Sequence, residues 1–223
     1  MNVKAVLFDV DFTLAKPGPS LGPDHYQQIA RESGLDVTRY PEAWAAASES
    51  LQQDPELRHD EEGWLALWER SFGELGAESD LARDLAVEVT RLWENSANFD
   101  LYDDALPVMS ELRRHELKLG LVSNSNREID DFALHHGLEV DCALTSRAHG
   151  WTKPHQSIFR AALELLGVEP AEAAMVGDSV EEDVEGALAL GMHAFLIDRE
   201  GRHPEVADAL PDLWALPTAL ELR

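Results

Sequence analysis

The 223-residue sequence predicts an α/β fold in which a doubly wound parallel sheet is interrupted by an all-helical insertion. Two observations lead to this prediction. Short apolar runs alternate with longer segments of helical periodicity, and one stretch near the amino terminus breaks that alternation with helical periodicity alone.

Five short apolar runs are the predicted strands. The first, 3–10, is a nearly continuous run rich in Val, Leu and Phe, which is typical of a strand buried on both faces. The other four are 117–122, 142–145, 173–176 and 193–197. The segments of helical periodicity between them are 103–116, 127–136, 154–166 and 180–190. This alternation predicts a Rossmann-like core with helices on both faces of the sheet.

The stretch 16–99 contains no convincing strand. Apolar and aromatic residues recur in it at helical spacing, as in Trp64, Trp68 and Phe72. An aromatic stripe at this spacing favours core packing over a ligand platform. We therefore predict an α/β core over residues 1–15 and 100–223 and an inserted helical domain over 16–99.

The acidic composition limits the classes of partner. With 18 basic and 43 acidic side chains, the formal net charge is −25. Nucleic acids and anionic membranes are bound by dense Lys/Arg surfaces, so neither a nucleic acid polymer nor a membrane is expected as a partner. The single cysteine, Cys142, fits a reducing compartment. Because the sequence has neither a signal-peptide pattern nor a long apolar run, we expect a cytoplasmic protein.

Polar residues follow the first two predicted core strands. Asp9 and Asp11 come at the end of the first predicted strand. Because they are two residues apart, both side chains point to the same side of an extended chain. Thr13 makes a chance Asp-x-Asp match much less probable. At the end of the second strand, Ser123 occupies the position where open α/β sheets place ligand-binding groups.

Ser125 and Glu128 match a capping box, so we predict that Ser125 caps the next helix. Lys153 precedes Pro154, which suits the first turn of the following helix.

A further strand, turn and helix contain Asp178 and Asp183. Asp178 directly follows the predicted strand end and stands beside a glycine that permits close approach. Carboxylates without soft ligands suit Mg²⁺. A cation, a lysine and a hydroxyl together would neutralise a phosphoryl group, so the sequence predicts a small phosphate ester as the substrate.

Four motifs occur in a fixed order along the chain: Asp9-x-Asp11-x-Thr13, Ser123, Lys153-Pro154, and Asp178 with Asp183. In this order the chain resembles the haloacid dehalogenase-like hydrolase superfamily, and the helical insertion is placed like that family's cap. The resemblance implies a Mg²⁺-dependent phosphatase.

The resemblance also implies roles for these residues. The catalytic group would be Asp9 as nucleophile, Asp11 as general acid and base, and Lys153 as the residue that offsets negative charge. Phosphate would be bound by Thr13, Ser123, Asn124 and Lys153. The metal would be bound by Asp9, the Asp11 backbone carbonyl and Asp178, with Asp183 supporting either the metal's waters or the lysine.

Phe12 departs from the family pattern, which most often has Gly at this position. Three other functions remain open. A phosphomutase or phosphotransferase would use the same residues. Dehalogenases resemble this chain in fold but lack an acid at the position of Asp11. A phospho-acceptor receiver or a non-catalytic binding module would belong to a different class, and receivers have no helical insertion after the first strand.

Overall fold

A computed structural model describes residues 2–52 and 61–222 of the chain. The chain divides into two compact units. The first comprises Met1–Lys16 and Asp100–Arg223, and the second comprises Pro17–Phe99. In the part of the chain that is described, no helix is long and apolar enough to cross a membrane.

The first unit contains a five-stranded parallel sheet. The strands of the chain are β1 (Ala5–Phe8), β2 (Ala15–Pro17), β3 (Phe99–Leu101), β4 (Lys118–Ser123), β5 (Cys142–Thr145), β6 (Ala173–Gly177) and β7 (His193–Leu196). The order in the large sheet is β5-β4-β1-β6-β7, while β2 and β3 form a separate two-stranded sheet. The central position of β1, between β4 and β6, confirms the predicted Rossmann-like, doubly wound core.

The described residues of the second unit contain four α-helices, α1 (Pro23–Glu32), α2 (Tyr40–Gln52), α3 (Glu61–Glu74) and α4 (Ser79–Glu94). Trp68 and Phe72 of α3 are buried in its apolar core, as the aromatic stripe predicts. The Trp68 ring lies 4.8 Å from that of Tyr26 and 4.6 Å from that of Trp44, measured between centroids. The side chain of Trp64, in the same predicted stripe, lies outside the described part of the structure.

The helices of the first unit are α5 (Ala105–Arg114), α6 (Ile129–His136), α7 (Ser146–His149), α8 (Gln156–Leu166), α9 (Gly186–Ala189) and α10 (Leu216–Ala219). A π-helix, Val180–Glu185, leads directly into α9. All four residues of β1 are fully buried, as expected for the central strand of a sheet covered on both faces. The apolar core on one side of the sheet combines Leu7 with residues of α8, including Ile158 and Phe159.

Two predictions about helix starts are wrong. Ser125 does not cap a helix, because α6 begins at Ile129 with Glu128 at its N-cap, and the Ser125 side chain is buried in the preceding bends. Pro154 precedes α8 instead of lying in its first turn, and His155 caps that helix by accepting a hydrogen bond from the Ser157 backbone N–H.

Gly120 of β4 has no room for a side chain. A Cβ at this position would lie 2.6 Å from Cys142 Sγ and 2.7 Å from Leu7 Cδ2. We expect Gly120→Ala to lower the free energy of unfolding by about 1–3 kcal/mol, because overpacking forces neighbouring side chains from their rotamers. Denaturant unfolding measures the change. Gly73→Ala, in open space on α3, is the matched control and should be neutral or slightly stabilising; equal losses in both variants would contradict the packing argument.

Candidate active site

The carboxyl ends of three neighbouring strands position the site. Asp9 directly follows β1, Ser123 ends β4, and Asp178 directly follows β6. The Asp9 backbone N–H donates a hydrogen bond to the Val176 carbonyl, at 2.9 Å, which fixes the chain after β1 against β6. Because parallel strands end at one edge of a sheet, this topology gathers side chains that are far apart in sequence.

Lys153 lies between the carboxylates of Asp9 and Asp183. Its Nζ is 2.7 Å from Asp9 Oδ1 and 2.6 Å from Asp183 Oδ1, and its side chain is 1% exposed. Burial alone would lower the pKa of Lys153, but the carboxylates of Asp183 and Asp9 outweigh burial and raise it. The lysine is therefore held as an ammonium ion beside Asp9.

Thr13 contacts the other oxygen of the Asp9 carboxylate. Its hydroxyl donates a 3.0 Å hydrogen bond to Asp9 Oδ2, and the residue is fully buried. The family resemblance assigns Thr13 to the phosphoryl oxygens, whereas in the structure its side chain orients Asp9. With Lys153 on Oδ1 and Thr13 on Oδ2, both oxygens of Asp9 are fixed in direction.

Asn124 holds the loop that carries Lys153. Its Oδ1 accepts from the Lys153 backbone N–H at 2.7 Å, and its Nδ2 donates to the Lys153 carbonyl at 3.1 Å. The same Nδ2 also donates to Glu182 Oε2, at 2.9 Å. Because both ends of the amide are engaged, Asn124 positions the Lys153 backbone. Its contact with phosphate, which the family resemblance implies, stays a prediction.

Three carboxylates form a cluster suited to a cation. Asp9, Asp178 and Asp183 each offer a ligand oxygen within 4.8 Å of the others. Burial and the negative charge of its neighbours raise the pKa of Asp178 to about 7. Burial raises the pKa of Asp183 to about 6 and that of Glu182 to about 7. A cation would offset the repulsion among these groups.

Asp183 also has a structural role within this cluster. Its Oδ2 accepts a hydrogen bond from the Ser179 backbone N–H at 3.1 Å, while Oδ1 contacts Lys153. A Cβ at Gly177 would overlap the Asp183 carboxylate, so the glycine is required for this close approach. The Ser179 side chain caps the π-helix by accepting from the Glu182 backbone N–H.

Asp11 makes an ion pair that the sequence analysis did not identify. Arg127 Nη2 donates to both Asp11 oxygens, at 2.8 and 2.7 Å, and the Arg127 side chain is 1% exposed. Burial raises the pKa of Asp11 by more than the neighbouring Arg127 guanidinium lowers it. In the sequence, Arg127 looks like the first residue of a helix, and no local pattern points to Asp11, 116 positions away.

Phe12 takes the backbone conformation that a glycine would adopt more easily. Its φ is +64°, in the left-handed region. Its N–H donates to the Ala15 carbonyl at 2.6 Å, which closes a tight turn directly after Asp11. The side chain is exposed. The departure from the family's usual Gly therefore leaves the turn intact but stores backbone strain of order 1–3 kcal/mol beside the site.

The remaining predicted site residue, Ser123, is buried at the carboxyl end of β4, in register with Thr145 of β5.

Taken together, the fold and these contacts define a Rossmann-like α/β protein with a lysine and several carboxylates at the carboxyl edge of its sheet. Such a site can present a fixed carboxylate nucleophile next to a cation site.

Comparison with known proteins gives the family. The haloacid dehalogenase-like hydrolase family matches residues 3–191. A Bos taurus protein called "Haloacid dehalogenase-like hydrolase domain-containing protein 3" is 32% identical, over 100% of this chain and 93% of its own length. A Mycobacterium tuberculosis protein named as a phosphatase is 31% identical, over 91% and 90% of the two chains. The crystal structure of a HAD phosphatase from Thermococcus onnurineus is 28% identical, with a TM-score of 0.71 and 98% of both chains covered. The chain belongs to the haloacid dehalogenase-like hydrolase family.

The raised carboxyl pKa values predict how stability depends on pH and metal. A carboxyl group whose pKa is higher in the folded protein binds its proton more tightly there, so the free energy of unfolding falls as the pH rises from 3.8 through about 7 for Asp178. At pH 7.5 we expect Mg²⁺ to raise the melting temperature of the chelator-treated protein by several degrees, because it offsets this repulsion.

Asp178→Asn is the informative variant for this measurement. It should melt at a higher temperature than the wild type without metal and should lose most of the Mg²⁺ response. Asp130→Asn, at an exposed position on α6, is the matched control and should respond to Mg²⁺ like the wild type. A full Mg²⁺ response in Asp178→Asn would exclude Asp178 from the cation site.

Proposed function

We propose that this hydrolase cleaves a small phosphate monoester, with Mg²⁺ as cofactor and an aspartyl-phosphate on Asp9 as intermediate. One observation carries the proposal. The Asp9 carboxylate lies at the end of the central strand with Lys153 on one oxygen and the Thr13 hydroxyl on the other. A carboxylate fixed in this way is suited to nucleophilic attack more than to simple charge balance.

In the first step, an Asp9 oxygen attacks phosphorus and the bond between phosphorus and the ester oxygen breaks. The electron pair of that bond goes to the leaving oxygen, which takes a proton from the Asp11 carboxyl group. In the second step, water attacks phosphorus of the aspartyl-phosphate while Asp11 accepts its proton. Inorganic phosphate leaves and Asp9 is regenerated as a carboxylate.

The residues present fit a hard divalent cation, because the cluster of Asp9, Asp178 and Asp183 offers carboxylate oxygens alone. Asp9 and Asp178, with the Asp11 backbone carbonyl, would hold Mg²⁺, while Asp183 keeps Lys153 in place. When bound, Mg²⁺ supplies positive charge that lets a phosphate dianion approach these carboxylates.

Lys153 and Ser123 would contact the phosphoryl oxygens, and Asn124 would hold the Lys153 loop in the required position. Several relatives have names that support phosphate chemistry, among them a phosphoserine phosphatase from Thermus thermophilus, 35% identical over 66% of this chain and 59% of its own length. The presence of Asp11 favours phosphate over halide chemistry, because a halide leaves without a proton. We assign the helical insertion 16–99 to substrate selection, as the cap of the family.

Hydrolysis of an aryl phosphate tests the proposal. We expect Mg²⁺-dependent release of the phenol, loss of activity with chelator, and a fall in kcat/KM of at least about 1,000-fold in Asp9→Asn, because the nucleophile is removed. Brief reaction with radiolabelled substrate should leave a protein-bound label that hydroxylamine removes, as expected for an acyl phosphate.

Asp130→Asn serves as the matched control, since it removes an exposed carboxylate that belongs to none of the four motifs. It should retain wild-type activity. Activity that survives both chelator and Asp9→Asn would refute the proposed chemistry. A panel of phosphorylated sugars, nucleotides and short acids then identifies the preferred leaving group.

A further inference from the structure

We propose that Arg127 is a positioning residue that holds the Asp11 carboxyl group in place for proton transfer to the leaving oxygen. The inference rests on the proposed function, because it concerns the group that would act as general acid and base. The geometry points to it directly: a single buried nitrogen, Arg127 Nη2, lies 2.8 and 2.7 Å from the two Asp11 oxygens.

The burial of Arg127 indicates that this contact matters. A guanidinium taken out of water loses its solvation, which is unfavourable unless a carboxylate or a set of hydrogen bonds replaces it. Arg127 is the largest fully buried side chain among the described residues. Its charged partner, Asp11, lies two residues after the nucleophile.

The surroundings fix Arg127 independently of Asp11. Its guanidinium carbon lies 5.1 Å from the centroid of the Phe132 ring, within cation-π distance. The preceding residue is braced by Arg147, whose Nη1 donates to the Asn126 carbonyl at 2.9 Å. Arg127 and the residue before it are therefore held by side chains of α6 and α7, and Arg127 in turn constrains Asp11.

The form of the contact is compatible with proton transfer. Each carboxyl oxygen has two lone-pair positions. Because one nitrogen is shared between both oxygens, each oxygen can still take part in a further hydrogen bond. Asp11 is 20% exposed, so it remains accessible from solvent. Arg127 restricts where the carboxyl group lies without blocking it.

Leaving-group dependence distinguishes this role from a structural one. Phenyl phosphate and 2,4-dinitrophenyl phosphate are both aryl monoesters, but dinitrophenolate is a much weaker base than phenolate and leaves without a proton donor. The ratio kcat/KM reports the steps from free enzyme and substrate through formation of the aspartyl-phosphate, and hydrolysis of that intermediate does not affect it. In Arg127→Met we expect kcat/KM for phenyl phosphate to fall about 10- to 100-fold, which is a large share of a typical general-acid contribution. For the dinitrophenyl ester we expect kcat/KM to fall by less than about threefold.

A double-mutant cycle tests whether Arg127 acts through Asp11. Asp11→Asn alone should show the same leaving-group dependence. Adding Arg127→Met to it should lower kcat/KM for phenyl phosphate by less than about twofold, because the group being positioned is already disabled. Arg160→Met, which removes an exposed arginine of α8, is the matched control and should leave kcat/KM for both substrates unchanged.

Arg127→Lys covers the case in which Arg127→Met does not fold. It keeps the positive charge but lacks the reach and planarity of the guanidinium, so the same leaving-group bias should appear with a smaller loss. Circular dichroism and thermal unfolding identify the variants that are folded.

Three outcomes would overturn the inference. Equal losses on both esters would make Arg127 a structural residue, and a gain on phenyl phosphate would make it a restraint that inhibits Asp11. A large additional loss in the double variant would place its effect outside Asp11. Failure of the wild type to hydrolyse either ester with Mg²⁺ would instead refute the proposed function, and the inference would fall with it.

Discussion

The ion cluster around Lys153 is the interaction on which the rest of the site depends. A buried ammonium ion 2.7 Å from Asp9 and 2.6 Å from Asp183 links the chain after the central strand to the π-helix after β6. Replacing one partner in such a cluster leaves an uncompensated charge in a buried environment, which is far more costly than losing a surface ion pair. The loop before α8 must therefore hold Lys153 at one position, and the Asn124 amide does so through both polar groups of the Lys153 backbone.

The charge of the whole chain and the charge of the site have different consequences. A formal charge of −25 disfavours polyanionic partners, and it would also repel a small phosphate dianion. The structure places two buried cations, Lys153 and Arg127, next to the carboxylates that carry the proposed chemistry. These two cations offset part of the negative charge of the carboxylates, because Coulomb interactions between buried groups are stronger than at the surface. In the proposed function, Mg²⁺ would supply the positive charge that is still needed. The acidic surface and a site for an anionic substrate are therefore compatible.

Much of the fold and part of the site could be predicted from sequence because both depend on short-range patterns. Buried strands are continuous apolar runs, and Asp9 and Asp178 each follow such a run directly, so the topology alone brings them to one sheet edge. Local patterns failed where long-range contacts compete with them. Ser125 and Glu128 satisfy the spacing of a capping box, yet α6 begins only at Ile129. The capping-box spacing indicates only that a helix could begin at Ser125. The conformation of the loop depends in addition on its contacts at the edge of the sheet.

The residues whose contacts sequence reasoning did not predict share a physical property: they act on another side chain or on a loop. Thr13 orients Asp9, and Arg127 contacts Asp11, 116 positions away in the sequence. Motifs identify the groups that would touch substrate, because the chemistry fixes their type. The groups that hold them in place can be supplied by any residue of suitable reach from any neighbouring loop, and no spacing rule constrains them. Catalysis depends on sub-ångström placement of the reacting groups. The contacts that hold those groups, which the sequence did not predict, therefore affect how well the predicted residues can act.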